Sequence, residues 1–138
     1  PFRSARVIEK GIEDGNITAN ADVYEKLANA WIQAGDYDKA IPPLERAARM
    51  SDTGDLYARL GQVQVQREEW DSAVTALQSG IDKGRLDDPG NAELLMGIAL
   101  LNQKKLQDAR GWFQRASRSD KHRKMALSYI QLIDSRRS

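Results

Sequence analysis

Apolar side chains return every three or four positions along most of the chain, in blocks separated by short polar or glycine-bearing corners. Tyr24, Leu27, Ala28 and Trp31 place one such stripe on a helix expected over about Ala21 to Ala34. Gly35 and Asp36 then stop that helix and turn the chain. A second helix is expected over about Tyr37 to Met50, where the small Ala40 permits close approach while Leu44 and Ala47 fill the space between the two. A shift of 33 lays Tyr24 on Tyr57, Leu27 on Leu60, Ala40 on Ala73, Leu44 on Leu77 and Tyr37 on Trp70. A shift of 36 carries Gly61 onto Gly97, Trp70 onto Leu106, Ala73 onto Ala109, Leu77 onto Phe113 and Gly80 onto Ala116. The chain therefore holds three copies of one helix pair.

The flanks follow the same logic. A shift of 69 pairs Gly11 with Gly80, Ile12 with Ile81, Gly15 with Gly84 and Ile17 with Leu86, so the first stretch reads as the second helix of a preceding pair. Beyond Asp120, a helix over roughly His122 to Asp134 offers Met125, Ala126, Tyr129, Ile130 and Ile133 to the last pair as an end cap. The expected division is a half repeat at 1–20, repeats at 21–53, 54–89 and 90–121, and a capping helix with its tail at 122–138. Extra residues of the third copy fall in the linker Lys83 to Gly90, where Pro89 cannot continue a helix. Pro42 and Pro43 conflict with an unbroken second helix in the first copy, since an interior proline costs about 3 kcal/mol. The pattern predicts a late start that puts both prolines in the first turn, in preference to a kink.

A repeat in the mid thirties with two helices per unit, small at Ala28, Gly61 and Gly97, small at Ala40, Ala73 and Ala109, and large at Leu44, Leu77 and Phe113, resembles the tetratricopeptide-repeat (TPR) family. That resemblance implies an all-α, right-handed superhelix, an α-solenoid of antiparallel helix pairs closed by a C-terminal helix, whose work is to bind another protein. A narrower resemblance rests on Gly80-Ile81-Asp82-Lys83-Gly84-Arg85-Leu86, Pro89-Gly90-Asn91-Ala92, Leu94-Leu95-Met96-Gly97-Ile98-Ala99-Leu100, and the segment from Ala47 to Asp52 with Gly54 and Leu56 to Leu60. These runs resemble the C-terminal part of TPR proteins encoded beside TonB, ExbB and ExbD type components of Gram-negative bacteria. The implication is a periplasmic accessory of an energy-transduction or uptake system. The alternative is a scaffold or co-chaperone in another secretion, export or assembly complex, with a cytoplasmic location open. Tyr129 stands where that group carries a tryptophan, so a different terminal contact is expected.

In such arrays the first helix of each pair lines the concave side, and the residues left over from packing face it. In the first copy these are Asp22, Glu25, Asn29, Ile32 and Gln33; in the second, Asp55, Ala58, Gln62, Val65 and Gln66; in the third, Asn91, Leu94, Ile98, Leu101 and Asn102. Polarity falls along this row. The Lys, Arg and Asn clamp with which some relatives grip a chaperone's terminal carboxylate is missing, since the charges here are acidic. Leu94, Ile98 and Leu101 stand at i, i+4 and i+7, extended by Val65 and Ile32, and offer either an apolar groove or a stripe that the C-terminal helix covers. A partner with a basic end and an apolar end fits the gradient.

Composition narrows the rest. Twenty-one basic against 20 acidic side chains in 138 residues leave a charge of +1, so no overall field draws the chain to nucleic acid or an anionic membrane. The absence of cysteine removes disulfides, thiolate nucleophiles and zinc-thiolate sites, and suits a reducing or an oxidising compartment alike. No apolar run reaches the length of a membrane span. A start at Pro1 without methionine or leader reads as a piece of a longer protein. Arg115 to Ser138 carries seven basic residues against two aspartates and reads as a solvated helix face. Trp31, Trp70 and Trp112 recur at repeat positions and read as packing, and Asn16-Ile17-Thr18 is a chance sequon.

His122 is the sole histidine, so no catalytic triad or multi-histidine metal site is expected, and no glycine-rich phosphate loop occurs. No catalytic, cofactor or metal residue is assigned. Glu68 with Glu69 and Asp87 with Asp88 sit in corners, and only Asp22, Glu25 and Asp55 would face a common cleft as an acidic hydrolase requires.

Overall fold

The computed structural model describes residues 1–137. Among them are eight helices and no strand: α1 (Phe2–Glu13), α2 (Ala21–Gln33), α3 (Tyr37–Met50), α4 (Asp55–Gln66), α5 (Trp70–Lys83), α6 (Pro89–Asn102), α7 (Leu106–Ala116) and α8 (Arg123–Arg137). α2 packs on α3, α4 on α5 and α6 on α7, each pair stacking on the next, with α1 before the first pair and α8 against α7. Ser138 and the side chain of Arg137, which belong to the expected basic tail, lie outside the described residues.

The three turns inside the pairs are built alike. Gly35, Glu68 and Lys104 occupy the left-handed region at φ +79°, +59° and +64°. The next N–H in each, of Asp36, Glu69 and Lys105, donates to the carbonyl of Trp31, Gln64 and Leu100 at 2.9, 2.9 and 3.0 Å. This closes three Schellman-type caps that satisfy the last carbonyls of α2, α4 and α6. At the helix starts, Asn20, Asp36 and Asp88 each accept an N–H from three residues on.

Within a pair, a large side chain of the second helix enters a socket on the first. A Cβ on Gly61 would lie 2.5 Å from Leu77 Cγ, and one on Gly97 would lie 2.6 Å from Phe113 Cε1. Ala28 and Leu44, both fully buried in one cluster, repeat the arrangement. Gly61→Ala on its own is expected to destabilise, because overpacking of about 1–3 kcal/mol outweighs the helix-propensity gain of up to about 1 kcal/mol. In a Leu77→Ala background the same change should become stabilising, since the new methyl enters vacated space. Urea unfolding of the four proteins reads this reversal of sign, and two independent additive effects would remove the socket.

Between pairs, the same contact recurs at both junctions. Arg67 Nη2 donates to Asp38 Oδ1 at 2.6 Å, and Gln103 Nε2, 36 positions later, donates to Asp71 Oδ1 at 2.5 Å. Lys83 donates to the carbonyls of Ala48 and Arg49 at 3.1 and 3.2 Å, placing a cation on the C-terminal end of α3.

Two expectations require correction. α3 does not start late: it runs unbroken from Tyr37, with Pro42 and Pro43 in its second turn. The two prolines delete the helical donors to the carbonyls of Asp38 and Lys39, whose residues are exposed and meet water. Asp36 caps the helix, and Ala40, Pro43 and Leu44 are buried, so packing holds a helix that local propensity disfavours. Pro89 does not lie in the linker but opens α6 at its first position behind the cap Asp88, where proline's missing N–H is one the helix would leave free.

The last junction is clipped by Asp88. Its carboxylate receives the Asn91 N–H at 3.1 Å, meets His122 Nε2 at 3.0 and 2.9 Å, and lies 3.5 Å from Lys121 Nζ. Gly90 leaves the room, since a Cβ there would meet Ser119 and His122 within 2.9 Å. Burial acts to raise the Asp88 pKa, but the His122 and Asn91 hydrogen bonds, the His122 charge and Lys121 outweigh it and hold it below its ordinary 3.8. The unfolded chain thus binds more protons across that window, so the clip stabilises fully above the unfolded pKa and is lost as pH falls through the lower folded one. Asp88→Ala is expected to cost about 1 kcal/mol at neutral pH. The gap to the parent should narrow below about pH 4, as read by urea titration at several pH values. Glu93, raised by burial against the pull of Arg115 and Arg118, contributes in the opposite sense.

Candidate functional site

α4 also packs on α6, whereas among the described residues α3, α5 and α7 make no comparable contact with one another. α4 and α6 therefore stand on the inner side of the stack, and the Glu25–Arg59 pair joins α2 to α4. Helical spacing turns Leu27 and Ala28, Leu60 and Gly61, Met96 and Gly97 toward the second helices, and leaves a row on α2, α4 and α6 facing inward.

On α2, Asp22 and Gln33 are exposed, Glu25 and Asn29 are half-buried, and Ile32 packs sideways against two core clusters. On α4, Gln62 and Gln66 are exposed, and Val65 packs against the core of the last two pairs. Asp55 is engaged: its Oδ1 accepts the Asp87 N–H at 3.0 Å and holds the linker to α6 against the start of α4. On α6, Asn91 and Ile98 are half-buried, and Asn102 is exposed but donates to the Ile98 carbonyl at 2.8 Å.

Of the two readings of the apolar stripe, a groove or a surface covered by the C-terminal helix, the second holds for Leu94 and Leu101, which are only 5% and 8% exposed. They belong to the core cluster that contains Ala126 and Ile133 of α8, against which Tyr129 and Ile130 also pack. Tyr129 stacks on Phe113 with centroids 4.6 Å apart, and Arg110 grips Asp134 through two hydrogen bonds of 2.8 and 3.0 Å. The apolar stripe is spent on closing the C-terminal end, and Ile98 is what remains of it on the inner face.

The acidic character expected of the row is also corrected. Arg59 pairs with Glu25 across from α4 to α2 at 3.8 Å. Lys26, exposed and one turn from Asp22, adds a second cation. Arg59 stands one turn after Asp55 and three residues before Gln62, so its spacing already marked it as a groove residue. Asp22, Glu25 and Asp55 do not make a free acidic set, since Glu25 is ion-paired and Asp55 holds the linker. The described residues contain no group of three or more His, Cys, Asp or Glu side chains placed to hold a metal. No described helix is long and apolar enough to cross a membrane.

What lines the inner face most consistently is the carboxamide: Asn29, Gln33, Gln62, Gln66, Asn91 and Asn102. Each offers a donor and an acceptor, as a peptide backbone does. The Asn29 side-chain oxygen is buried and has no hydrogen-bond partner.

A family model for the tetratricopeptide repeat matches residues 3–55 and 58–122. The chain belongs to the tetratricopeptide-repeat family. Solved TPR-like structures agree with it in fold. MamA superposes with a TM-score of 0.80 at 18% identity, over 96% of this chain and 76% of MamA. YrrB, described as a TPR protein with an unusual peptide-binding site, gives 0.78 at 23% identity, over 99% of this chain and 69% of YrrB. The second TPR domain of human RPAP3, solved in complex with the HSP70 peptide SGPTIEEVD, gives 0.69 at 18% identity, over 80% of this chain and 92% of that domain. At these identities the likeness is one of fold. No curated protein matches the sequence.

Proposed function

We propose that this TPR module is a non-catalytic scaffold whose inner face holds an extended segment of another protein. The observation that carries the reading is the row of carboxamides on α2, α4 and α6, headed by Asn29 with its unpartnered oxygen. A row of groups that both donate and accept suits an extended backbone, whose N–H and C=O groups alternate and are otherwise solvated. RPAP3 and YrrB, named for bound peptide or a peptide-binding site, support the class of partner. The Glu25–Arg59 pair and Lys26 at the α2 and α4 end, and Ile32, Val65 and Ile98 beside the amides, favour a segment of mixed charge with isolated apolar residues.

Selection of random peptides on the immobilised protein tests this. Bound sequences should weaken about tenfold or more in an Asn29→Ala, Gln62→Ala variant, the loss of one or two hydrogen bonds. Peptides that bind the variant as tightly as the parent would rule the inner face out.

A finer reading concerns the setting. We infer a periplasmic accessory of a TonB-linked uptake system, supported by the sequence runs from Gly80 to Leu86, Pro89 to Ala92 and Leu94 to Leu100. Co-purification from envelope extract should bring down envelope proteins, and recovery of cytosolic partners alone would count decisively against it.

A further inference from the structure

We propose a second binding site on the opposite, convex side, in the cleft between α3 and α5, which accepts a carboxamide side chain, Asn or Gln, from a partner protein. The proposal does not rest on the inner-face reading. The cleft measures about 480 Å³ and is floored by Tyr57, Leu60 and Gln64 of α4. Its α5 wall carries Ser72, Thr75 and Ser79, and its α3 wall carries Glu45 and Arg49.

Gln64 is the feature that calls for a ligand. Among the described residues it is the one amide or charged side chain buried as a whole, 5% exposed, and its oxygen has no hydrogen-bond partner, as is also true of single atoms of Asn29, Trp31 and Gln103. A buried unpaired amide is costly, so such a group is normally satisfied or replaced by an apolar one.

The repeats provide their own control. The positions equivalent to Gln64 are Trp31, 33 residues earlier, and Leu100, 36 residues later. All three give their carbonyl to the same turn, so the equivalence is structural as well as sequential. Trp31 is fully buried against Phe2 of α1, and the cleft between α5 and α7 has Met96, Leu100 and Trp112 in its lining. Of these two clefts, the central one has an amide in its floor, and there the position equivalent to Trp112 is the small Ala76.

The ligand class follows from charge. An anion would meet Glu45 and Asp71 against the single guanidinium of Arg49, and a cation would leave the acceptor-and-donor character of Gln64 half used. A neutral carboxamide can exchange two hydrogen bonds with Gln64 while the serine and threonine hydroxyls adapt around it.

The test follows the Gln64 side-chain NH₂ resonances of the isotopically labelled chain during titration with acetamide, with acetate and methylammonium as controls. Acetamide alone should give a saturable shift there and along Ser72 to Ser79. Gln64→Leu, which copies Leu100, should weaken the acetamide response of α5 about tenfold, one hydrogen bond's worth, and should unfold no earlier than the parent. No shift with acetamide, equal shifts with acetate, or a long-lived water cross-relaxing with Gln64 throughout the titration would each overturn the proposal. The parent titration decides the matter even if the variant does not fold.

Discussion

Phe113→Ala is expected to lower the unfolding free energy by roughly 3–5 kcal/mol, a large share of the roughly 5–15 kcal/mol that holds a domain together. Three contacts converge on this ring. It has no exposed surface, it fills the socket over Gly97, and it carries the stacked ring of Tyr129 from α8. Its loss opens a cavity between α6 and α7 and removes the platform on which the C-terminal helix sits. Because a repeat array is stabilised largely through nearest neighbours, hydrogen exchange should show α8 losing protection before α2 and α3. Urea unfolding gives the total, and a change under about 1 kcal/mol would mean that the ring is not the keystone of this end.

Gly54→Ala is expected to cost on the order of 3 kcal/mol. A Cβ at Gly54 would fall on the carbonyl oxygen of Gly80, and one at Gly80 would lie 2.9 Å from the Gly54 oxygen. Backbone meets backbone here, tied by the Gly54 N–H to the Gly84 carbonyl at 2.7 Å. Neither side is a flexible side chain that can swing away, so the start of α4 must lift off the end of α5. Gly80→Ala should cost less, because within α5 alanine recovers up to about 1 kcal/mol of helix propensity. Gly54, at the cap, has no such offset. Equal thermal midpoints for Gly54→Ala and the parent would contradict the close approach.

Much of this architecture is legible in the residues because repetition tests each inference three times. The sockets at Ala28, Gly61 and Gly97 and the knobs at Leu44, Leu77 and Phe113 are complementary sizes at a constant offset, and the structure seats each knob in its socket. Gly35 announces its turn by its lack of a side chain. Glu68 and Lys104 adopt the same left-handed backbone with no such signal, because the capping bonds around them set the turn. The prolines of α3 misled for a related reason: local cost is readable from two letters, whereas the burial of Ala40, Pro43 and Leu44 that outweighs it is a property of the assembled stack.

The inner face was harder to read than the core. Helical spacing gives an expected inward row, but not what each position does there. Asp55 holds the linker, Glu25 is joined to Arg59, and Leu94 with Leu101 belongs to the core that α8 closes. These depend on neighbours about 30 or more residues away, which a face-by-face reading does not supply. Gln64 shows the converse. Its departure from Trp31 and Leu100 is visible in the aligned repeats, yet its burial and unpartnered oxygen appear only in the folded stack.

The central claim is that the first helices present an inner face that holds an extended protein segment. Chemical-shift mapping of the labelled chain with a peptide taken from the selection tests it most directly. The account predicts the largest perturbations at Asn29, Gln33, Gln62 and Gln66, with smaller ones at Asn91 and Ile98 and little change on α3, α5 and α7. Perturbations confined to α3, α5 and α7, with the amides of α2 and α4 unmoved, would contradict it.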